Sequence, residues 1–295
     1  LVMLLYALKL YRPKFTIQLP KNYKEVFKYA SYIILAGSAS AILLDIDKFM
    51  IPQKEVIEMA AYYAVGVYIA SVIDIPGRAM SQIVQPITAK ALNENNTGQI
   101  HNLYKRTSVN LLAISGLLFL LINSNIDQAY KLIDVKFSGG IYVVLMISFA
   151  KLYTMSLGNN GAIISNSKYY KILLPYGIVM ALSVYFLNDW LISVFSMNGA
   201  ALSTLLVILL FNTIKLGYVY RKFHIQPYTK KTLVLLLLIA LFYMLFSFWN
   251  FSFHPILNIM LKSLLITSGY VALIYILKIS LDLNRLIEKF IKGNQ

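Results

Sequence analysis

Long apolar runs alternate along the chain with short polar connections. Residues 107–126, 190–214 and 232–261 contain no Asp, Glu, Lys or Arg. A helix needs about 20 such residues to cross a bilayer core of about 30 Å. Extending each run to its nearest charged, Pro, Gly or Asn boundary predicts about eight transmembrane helices. These predicted spans are residues 27–51, 59–91, 107–126, 138–158, 170–188, 191–220, 232–250 and 256–277.

The connections between these spans alternate in charge. Every second connection is basic, as shown by Arg12, by Lys105 with Arg106, and by Arg221 with Lys222. The connections between them are short and nearly balanced in charge. Cytoplasmic loops of membrane proteins are enriched in Lys and Arg, so this alternation predicts that both ends of the chain are cytoplasmic.

Composition supports the same class of protein. The 295 residues are 59% hydrophobic and 13% charged, with a mean hydropathy of +0.67, which is far more apolar than a globular domain. The net charge of +15 resides mainly in the connections, so it indicates membrane topology rather than nucleic-acid binding. The chain has no cysteine, and His101, His224 and His254 lack metal-ligand spacing, so neither metal nor cofactor is expected.

The two ends of the chain carry different patterns. Residues 1–10 are apolar but too few to cross a bilayer, and they are interpreted as the end of a helix whose beginning is missing. Residues 281–291 place apolar side chains on one stripe beside basic ones, which predicts an amphipathic helix on the inner membrane surface.

Ionisable residues inside a span are costly, and they usually face protein or water. The first span carries Asp45, Asp47 and Lys48, of which Asp45 and Lys48 continue a small polar stripe that begins near Ser38. This stripe is consistent with a wet cavity. Because Pro52 follows closely, the alternative is that these charges lie at the outer headgroup level.

The second span contains both a charge pair and a helix break. Asp74 and Arg78 are one turn apart and can pair along the helix. They flank Pro76 and Gly77, which weaken the helix because proline removes one backbone hydrogen bond. Such a break inside a membrane is tolerated where the helix lines a cavity or packs on protein. Arg78 is therefore a candidate cavity residue, with a purely structural ion pair as the alternative.

Single lysines occur in three later spans. Lys151 lies near the middle of the fourth span with no acid within a turn, so it needs a partner from another helix or an anionic ligand. Lys215 and Lys262 lie closer to span ends and are expected to extend to the membrane surface, without a functional role.

Several short motifs, in order, resemble the polysaccharide (O-antigen type) flippases of the multidrug/oligosaccharidyl-lipid/polysaccharide exporter superfamily. The motifs are DKFM at 47–50, AVGVYIA at 64–70, QPI at 85–87, GAIISNSKYY at 161–170 and NGAALST at 198–204. The resemblance implies an all-α integral membrane protein built from two six-helix lobes around a central cavity, plus an extra helix pair. Residues 1–26 would close a missing first lobe, 27–222 would form the second lobe, and 223–295 the extra pair and a cytoplasmic tail.

Flippases of this kind move undecaprenyl-pyrophosphate-linked oligosaccharide across the bacterial inner membrane by alternating access. The resemblance thus implies a transporter rather than an enzyme, with lipid-linked oligosaccharide, membrane lipids and H⁺ or Na⁺ as partners. A drug exporter of the same superfamily is the first alternative, and a membrane glycan polymerase, ligase or acyltransferase the second. The expected roles are pyrophosphate binding by Arg78, Lys151 and Lys48, ion coupling by Asp45, Asp47 or Asp74, and a helix break at Pro76 and Gly77.

Overall fold

The computed structural model describes residue 10 and residues 22–292, and 87% of the described residues are helical, with no strand among them. The predicted helix end at residues 1–10 lies almost wholly outside this part of the chain. The α-helices are α1 (Tyr23–Lys54), α2 (Ile57–Ser71), α3 (Ile75–Asn93), α4 (Thr97–Asn123), α5 (Ile126–Ile133), α6 (Ile141–Ser156), α7 (Asn160–Ser165), α8 (Leu173–Phe223), α9 (Lys230–Ser247), α10 (Pro255–Ile276) and α11 (Leu281–Lys292). Short 3₁₀ helices occupy Val72–Asp74, Val135–Gly140 and Tyr170–Ile172.

Six helical segments in the described part of the chain are long and apolar enough to cross a membrane. They are Ile57–Asn93, Thr97–Asn123, Val135–Ser156, Tyr170–Phe223, Lys230–Ser247 and Pro255–Ile276. Large apolar side chains are exposed on their outer surfaces, such as Leu237 on α9 and Leu264 on α10. Helices that are apolar all round are stable when lipid replaces water. The chain therefore has the character of an all-α, multi-pass membrane protein.

The second predicted span is broken where the sequence places Pro76. Proline has no N–H, so it cannot bond to the carbonyl four residues earlier, which is that of Val72. The N–H of Ile75 bonds to Val72 instead, and Val72–Asp74 forms a 3₁₀ turn between α2 and α3. The segment Ile57–Asn93 therefore consists of two α-helices joined by a 3₁₀ turn, and their junction lies beside Asp74.

The third predicted span begins earlier than expected. The polar connection at residues 92–106 is mostly helix, because α4 starts at Thr97. The side chain of Asn96 accepts a hydrogen bond from the N–H of Gln99 at 3.0 Å and caps the first turn. Hydropathy did not predict this start, because the first turns of α4 are polar and precede the apolar run.

Helix α8 is a hairpin of two antiparallel halves. Ser196 has non-helical angles, φ 53° and ψ −139°, and the two halves meet on either side of it. Tyr176 donates a hydrogen bond to the carbonyl of Phe211, and a Cβ at Gly199 would lie 2.0 Å from the carbonyl oxygen of Leu191. The predicted boundary between the fifth and sixth spans, at residues 188–191, is therefore about two helical turns too early. A tight turn that depends on glycine needs no charged or proline-containing loop, so it does not interrupt the apolar run.

Neighbouring helices pack in a continuous series. Helix α1 packs on α8, α8 on α6, α6 on α4, and α4 on α3, α9 and α10. The largest apolar core joins α4 to α9 and α10 through residues that include Leu112, Ile239 and Ile266. Tyr270 on α10 donates a hydrogen bond to the carbonyl of Ala113 on α4 at 3.1 Å. The pair α9 and α10 is thus fastened to one side of the bundle.

Lys262 does not extend to the membrane surface as predicted. It is buried, with 1% exposed, and its ammonium group donates to the carbonyl of Ser124 at 2.6 Å and to Oδ1 of Asn250 at 3.2 Å. Ser124 is the C-cap of α4, where the helix dipole favours a cation. The prediction was wrong because sequence gives no sign that a helix end lies opposite this lysine.

Candidate functional site

The junction between α2 and α3 holds an ion pair between two helices. Asp74 accepts a hydrogen bond from Lys151 of α6, and their side chains are 21% and 14% exposed. The alternative of an Asp74–Arg78 pair along one helix is not found, since Lys151 occupies the carboxylate instead. Taking charges out of water is costly, and the mutual attraction of this pair offsets part of that cost. The ion pair therefore joins α6 to the broken helix.

Helix α3 carries an exposed polar stripe, formed by Arg78, Gln82 and Gln85. These residues follow at intervals of four and three, so they share one helix face, and all three are exposed. The side chain of Arg78 has no ion-pair partner in the described part of the chain. Because Pro86 has no N–H, the carbonyl of Gln82 lacks the hydrogen bond that the helix would otherwise provide. The stripe consequently presents one cation, two amides and a released carbonyl.

A cavity of about 220 Å³ lies beside the polar stripe, between α3 and α4. Ser81 and Gln85 of α3 line it together with Thr107 of α4 and Asn159. Asn159 donates to Oγ1 of Thr88 at 3.0 Å and accepts from Oγ1 of Thr107 at 3.2 Å. The wall of the cavity is therefore a satisfied hydrogen-bond network that holds α3 against α4.

Gly158 permits this close approach. Its φ is +57°, and a Cβ there would lie 2.7 Å from the backbone nitrogen of Ser108. A side chain would be strained by the left-handed conformation and would also collide with α4. The glycine therefore lets the end of α6 reach α4 and places Asn159 in the cavity wall.

A second polar cluster surrounds Asp47 on α1. Its carboxylate is 2% exposed and accepts hydrogen bonds from Tyr63, from Asn188 at 2.6 Å and from Thr204 at 2.8 Å. Tyr63 belongs to α2, and Asn188 and Thr204 belong to the two halves of α8. All three donors are neutral, so the hydrogen bonds stabilise the carboxylate without cancelling its charge.

The remaining predicted site residues are distributed over different helices. Lys48 is exposed on α1, one position after the buried Asp47, and not on the helices that carry Arg78 and Lys151. The backbone of Asp45 is part of α1, but its side chain lies outside the described ones. The structure thus brings Asp74 together with Lys151 and separates Asp47 into its own cluster.

Lys215 makes a contact that the sequence did not predict. It is partly buried on the second half of α8, and its ammonium lies 4.8 Å from the ring centroid of Tyr176 on the first half. A cation over an aromatic face is attracted by the ring quadrupole. Lys215 therefore joins the two halves of the hairpin, and whether it also reaches the membrane surface stays a prediction.

Sequence reasoning did not select the amides beside Arg78 or the donors to Asp47. The spacing of Gln82 and Gln85 from Arg78 was a usable signal, because a regular helix places these positions on one face. Asn188 and Thr204 gave no such signal, since they lie 141 and 157 residues from Asp47. No group of His, Asp or Glu side chains that could hold a metal ion occurs within residues 22–292.

Comparisons of this chain with protein-family models, with curated proteins and with solved structures find no significant match. The geometry of the chain and its short motifs are therefore the evidence for a function.

Proposed function

We propose that the chain is part of a transporter that moves an undecaprenyl-pyrophosphate-linked oligosaccharide across the bacterial inner membrane. In this proposal about eight helices cross the membrane, with both ends cytoplasmic, and the second six-helix lobe faces a first lobe across the substrate cavity. The helices alternate between inward-open and outward-open arrangements. The motif resemblance indicates the substrate, and the polar face of α3 provides the side chains that would bind its pyrophosphate.

The exposed stripe on α3 is the observation that carries the proposal. An arginine at the centre of a membrane helix costs about 2.5–3.5 kcal/mol on insertion scales when it faces lipid. Arg78 is exposed and has Gln82 and Gln85 on the same face, so lipid is a poor neighbour for this surface. Water or a polar substrate in a cavity removes that cost. A pyrophosphate accepts the charged hydrogen bonds that a guanidinium donates in pairs.

The break at Pro76 adds a means of movement to the proposal. A proline-weakened helix at membrane depth is tolerated where it lines a cavity or packs on protein. Here the 3₁₀ turn Val72–Asp74 lies one turn before Arg78, so a change at the junction reorients the stripe. Lys151, paired with Asp74, would fix the junction in one arrangement and bind substrate phosphate only when released.

Asp47 is the better candidate for ion coupling, compared with Asp74. Binding of H⁺ or Na⁺ at Asp74 competes with Lys151, which already cancels its charge. The donors to Asp47 among the described side chains are neutral, so a bound cation changes the charge of the carboxylate and its donors from negative to neutral. The hydroxyl groups of Tyr63 and Thr204 rotate to donate or to accept. Because the cluster joins α1, α2 and both halves of α8, cation binding there acts on four helical segments.

The experiment compares Arg78→Gln with Arg221→Gln in the full-length protein of the native host. Arg221 is exposed at the end of α8, and its substitution removes the same charge outside the proposed cavity. In a strain deleted for the gene, R78Q is expected to restore membrane insertion but to lower surface glycan at least tenfold, whereas R221Q restores both.

Normal surface glycan in the R78Q strain would refute the proposed site. The deletion strain also distinguishes a glycan flippase from a drug exporter. Without a glycan flippase, lipid-linked oligosaccharide accumulates on the inner leaflet. A drug exporter changes resistance to toxic compounds without that accumulation.

A further inference from the structure

A cavity of about 490 Å³ lies at the end of the bundle where α9 begins and α10 ends. Its walls come from the first turns of α4, the start of α9 and the amphipathic helix α11. Its volume lies within the range of small-ligand sites. The site is far along α4 from the Lys262 contact with Ser124, which marks the opposite end of that helix. The cavity is therefore at the membrane surface, on the predicted cytoplasmic side.

The side chains around this cavity are strongly basic. Lys105, Arg106, Lys230, Lys231 and Arg285 line it. Asp282 is the single carboxylate among the lining residues, all of which belong to the described part of the chain. Five cations around one small volume repel one another, so the arrangement favours a bound anion.

The carboxylate of Asp282 is already saturated. Arg106 donates to its two oxygens at 2.6 and 3.2 Å, and Asn110 donates at 2.8 Å. This ion pair holds α11 against α4, and Arg285 adds to the positive charge around the same carboxylate. Lys231 donates to the carbonyl of Lys278 at 2.9 Å, so the cavity wall keeps more positive than negative charge. A ligand anion is thus the group that can complete the site.

The start of α9 adds backbone donors to the same wall. Thr229 caps the helix, and its side chain and that of Thr232 satisfy each other's backbone N–H groups. The N–H groups of Lys230 and Lys231, at the first two helical positions, have no acceptor within the helix. Helix N-termini favour phosphate and other anions for this reason, and here they coincide with the two lysine side chains.

We propose that this cavity binds the phosphate of an anionic glycerophospholipid from the adjacent membrane leaflet. Leu281, which is 62% exposed, lines the same cavity beside the buried Val109 and Ile279, and it offers an apolar surface to the glycerol and the first methylene groups of the acyl chains. A soluble phosphate would leave this apolar wall unused. Basic pockets between membrane helices are suited to lipid headgroups at the surface.

The test uses the purified chain in nanodiscs of phosphatidylcholine with a small added fraction of phosphatidylglycerol. Bound phosphatidylglycerol is counted by native mass spectrometry after release from the disc. The double variant K230Q/K231Q is expected to bind phosphatidylglycerol roughly 30-fold more weakly, which is the loss expected for two membrane-surface cations. The charge-preserving K230R/K231R is expected to retain binding.

The matched control is R221Q/K222Q, which removes two cations from the end of α8, only a short connection away from α9 and outside the cavity. Equal weakening by the control would overturn the proposal, because it would indicate attraction to the general surface charge. Displacement of the lipid by free glycerol phosphate at matched phosphate concentration would also overturn it, in favour of a soluble anion. Thermal unfolding in pure phosphatidylcholine verifies that each variant is folded.

Discussion

Two carboxylates of the bundle, the buried Asp47 and the partly buried Asp74, are stabilised in opposite ways. Asp74 is paired with the ammonium group of Lys151 across two helices, whereas Asp47 is held by three neutral donors from α2 and α8. The pair is electrically neutral as it stands, and it is sensitive to the loss of either partner. The Asp47 cluster changes its charge whenever a cation binds. The comparison indicates that the first site fixes structure and the second is suited to switching.

The largest expected effect follows from removing Lys151. In K151M, Asp74 keeps a largely buried charge without a partner, and the expected loss in the free energy of unfolding is about 3 kcal/mol. The double variant D74N/K151M removes both charges and is expected to recover most of that loss. Thermal unfolding in detergent micelles measures both. If K151M and the double variant are equally destabilised, the ion pair is not what holds α6 to the junction.

Lys54→Met is the matched control for this prediction. Lys54 also pairs with an aspartate on another helix, Asp189, but their side chains are 27% and 60% exposed. Exposed ion pairs contribute about 0–1 kcal/mol. K54M is therefore expected to cost far less than K151M, although both variants remove a lysine from an interhelical pair.

A smaller effect is expected at Asp47. In D47N the amide keeps one acceptor oxygen but turns an N–H group toward a donor, so the expected loss is about 1–2 kcal/mol. The variant D47L leaves all three donors unsatisfied and is expected to lose more. A loss in D47N as large as that of K151M would show that the negative charge itself holds the cluster together. In that case the proposed switching role would be wrong.

The smallest effect concerns the surface pair between Arg106 and Asp282. The hydrogen bond from Arg106 lowers the pKa of the Asp282 carboxyl below its ordinary value. A carboxyl with a lowered pKa contributes stability at pH values above its unfolded pKa of about 3.9, and that contribution is lost as the pH falls through its folded pKa. Since the pair is partly exposed, the contribution is expected to be below about 1 kcal/mol.

Measurement of unfolding against pH for the wild type and D282N checks this prediction. The two curves are expected to differ at neutral pH and to converge as the pH is lowered below about 4. A difference that persists unchanged at low pH would mean that Asp282 acts through packing rather than through its charge.

Helix type and several local breaks were predictable from the sequence, since they depend on neighbours along the chain. Apolar runs indicated the membrane helices, Pro76 indicated the junction after α2, and residues 281–291 indicated α11. The turn of α8 was misplaced because Ser196 and Gly199 bear no charge and interrupt no apolar run. Local pattern therefore determines element type well and the position of a tight turn poorly.

The candidate site was only partly predictable, because its partners come from distant parts of the chain. Intramembrane charge drew attention to Asp47, Arg78 and Lys151 individually. The pairing of Lys151 with Asp74 spans 77 residues, and no periodicity relates these positions. The same reason explains the error at Lys262, whose partners are the backbone carbonyl of Ser124 and the side chain of Asn250. Neither partner is charged, so the pattern of charges along the chain does not indicate them.

The contact between Lys262 and the end of α4 also constrains how the molecule moves. Pulling the ammonium group away from Ser124 and Asn250 would strand a desolvated charge, at a cost of several kcal/mol. Each 1.4 kcal/mol of that cost lowers the population of the separated state about tenfold. Helix α10, and α9 packed beside it, are therefore expected to stay attached to α4 in the motion proposed above, which leaves the junction between α2 and α3 as the better place for a hinge.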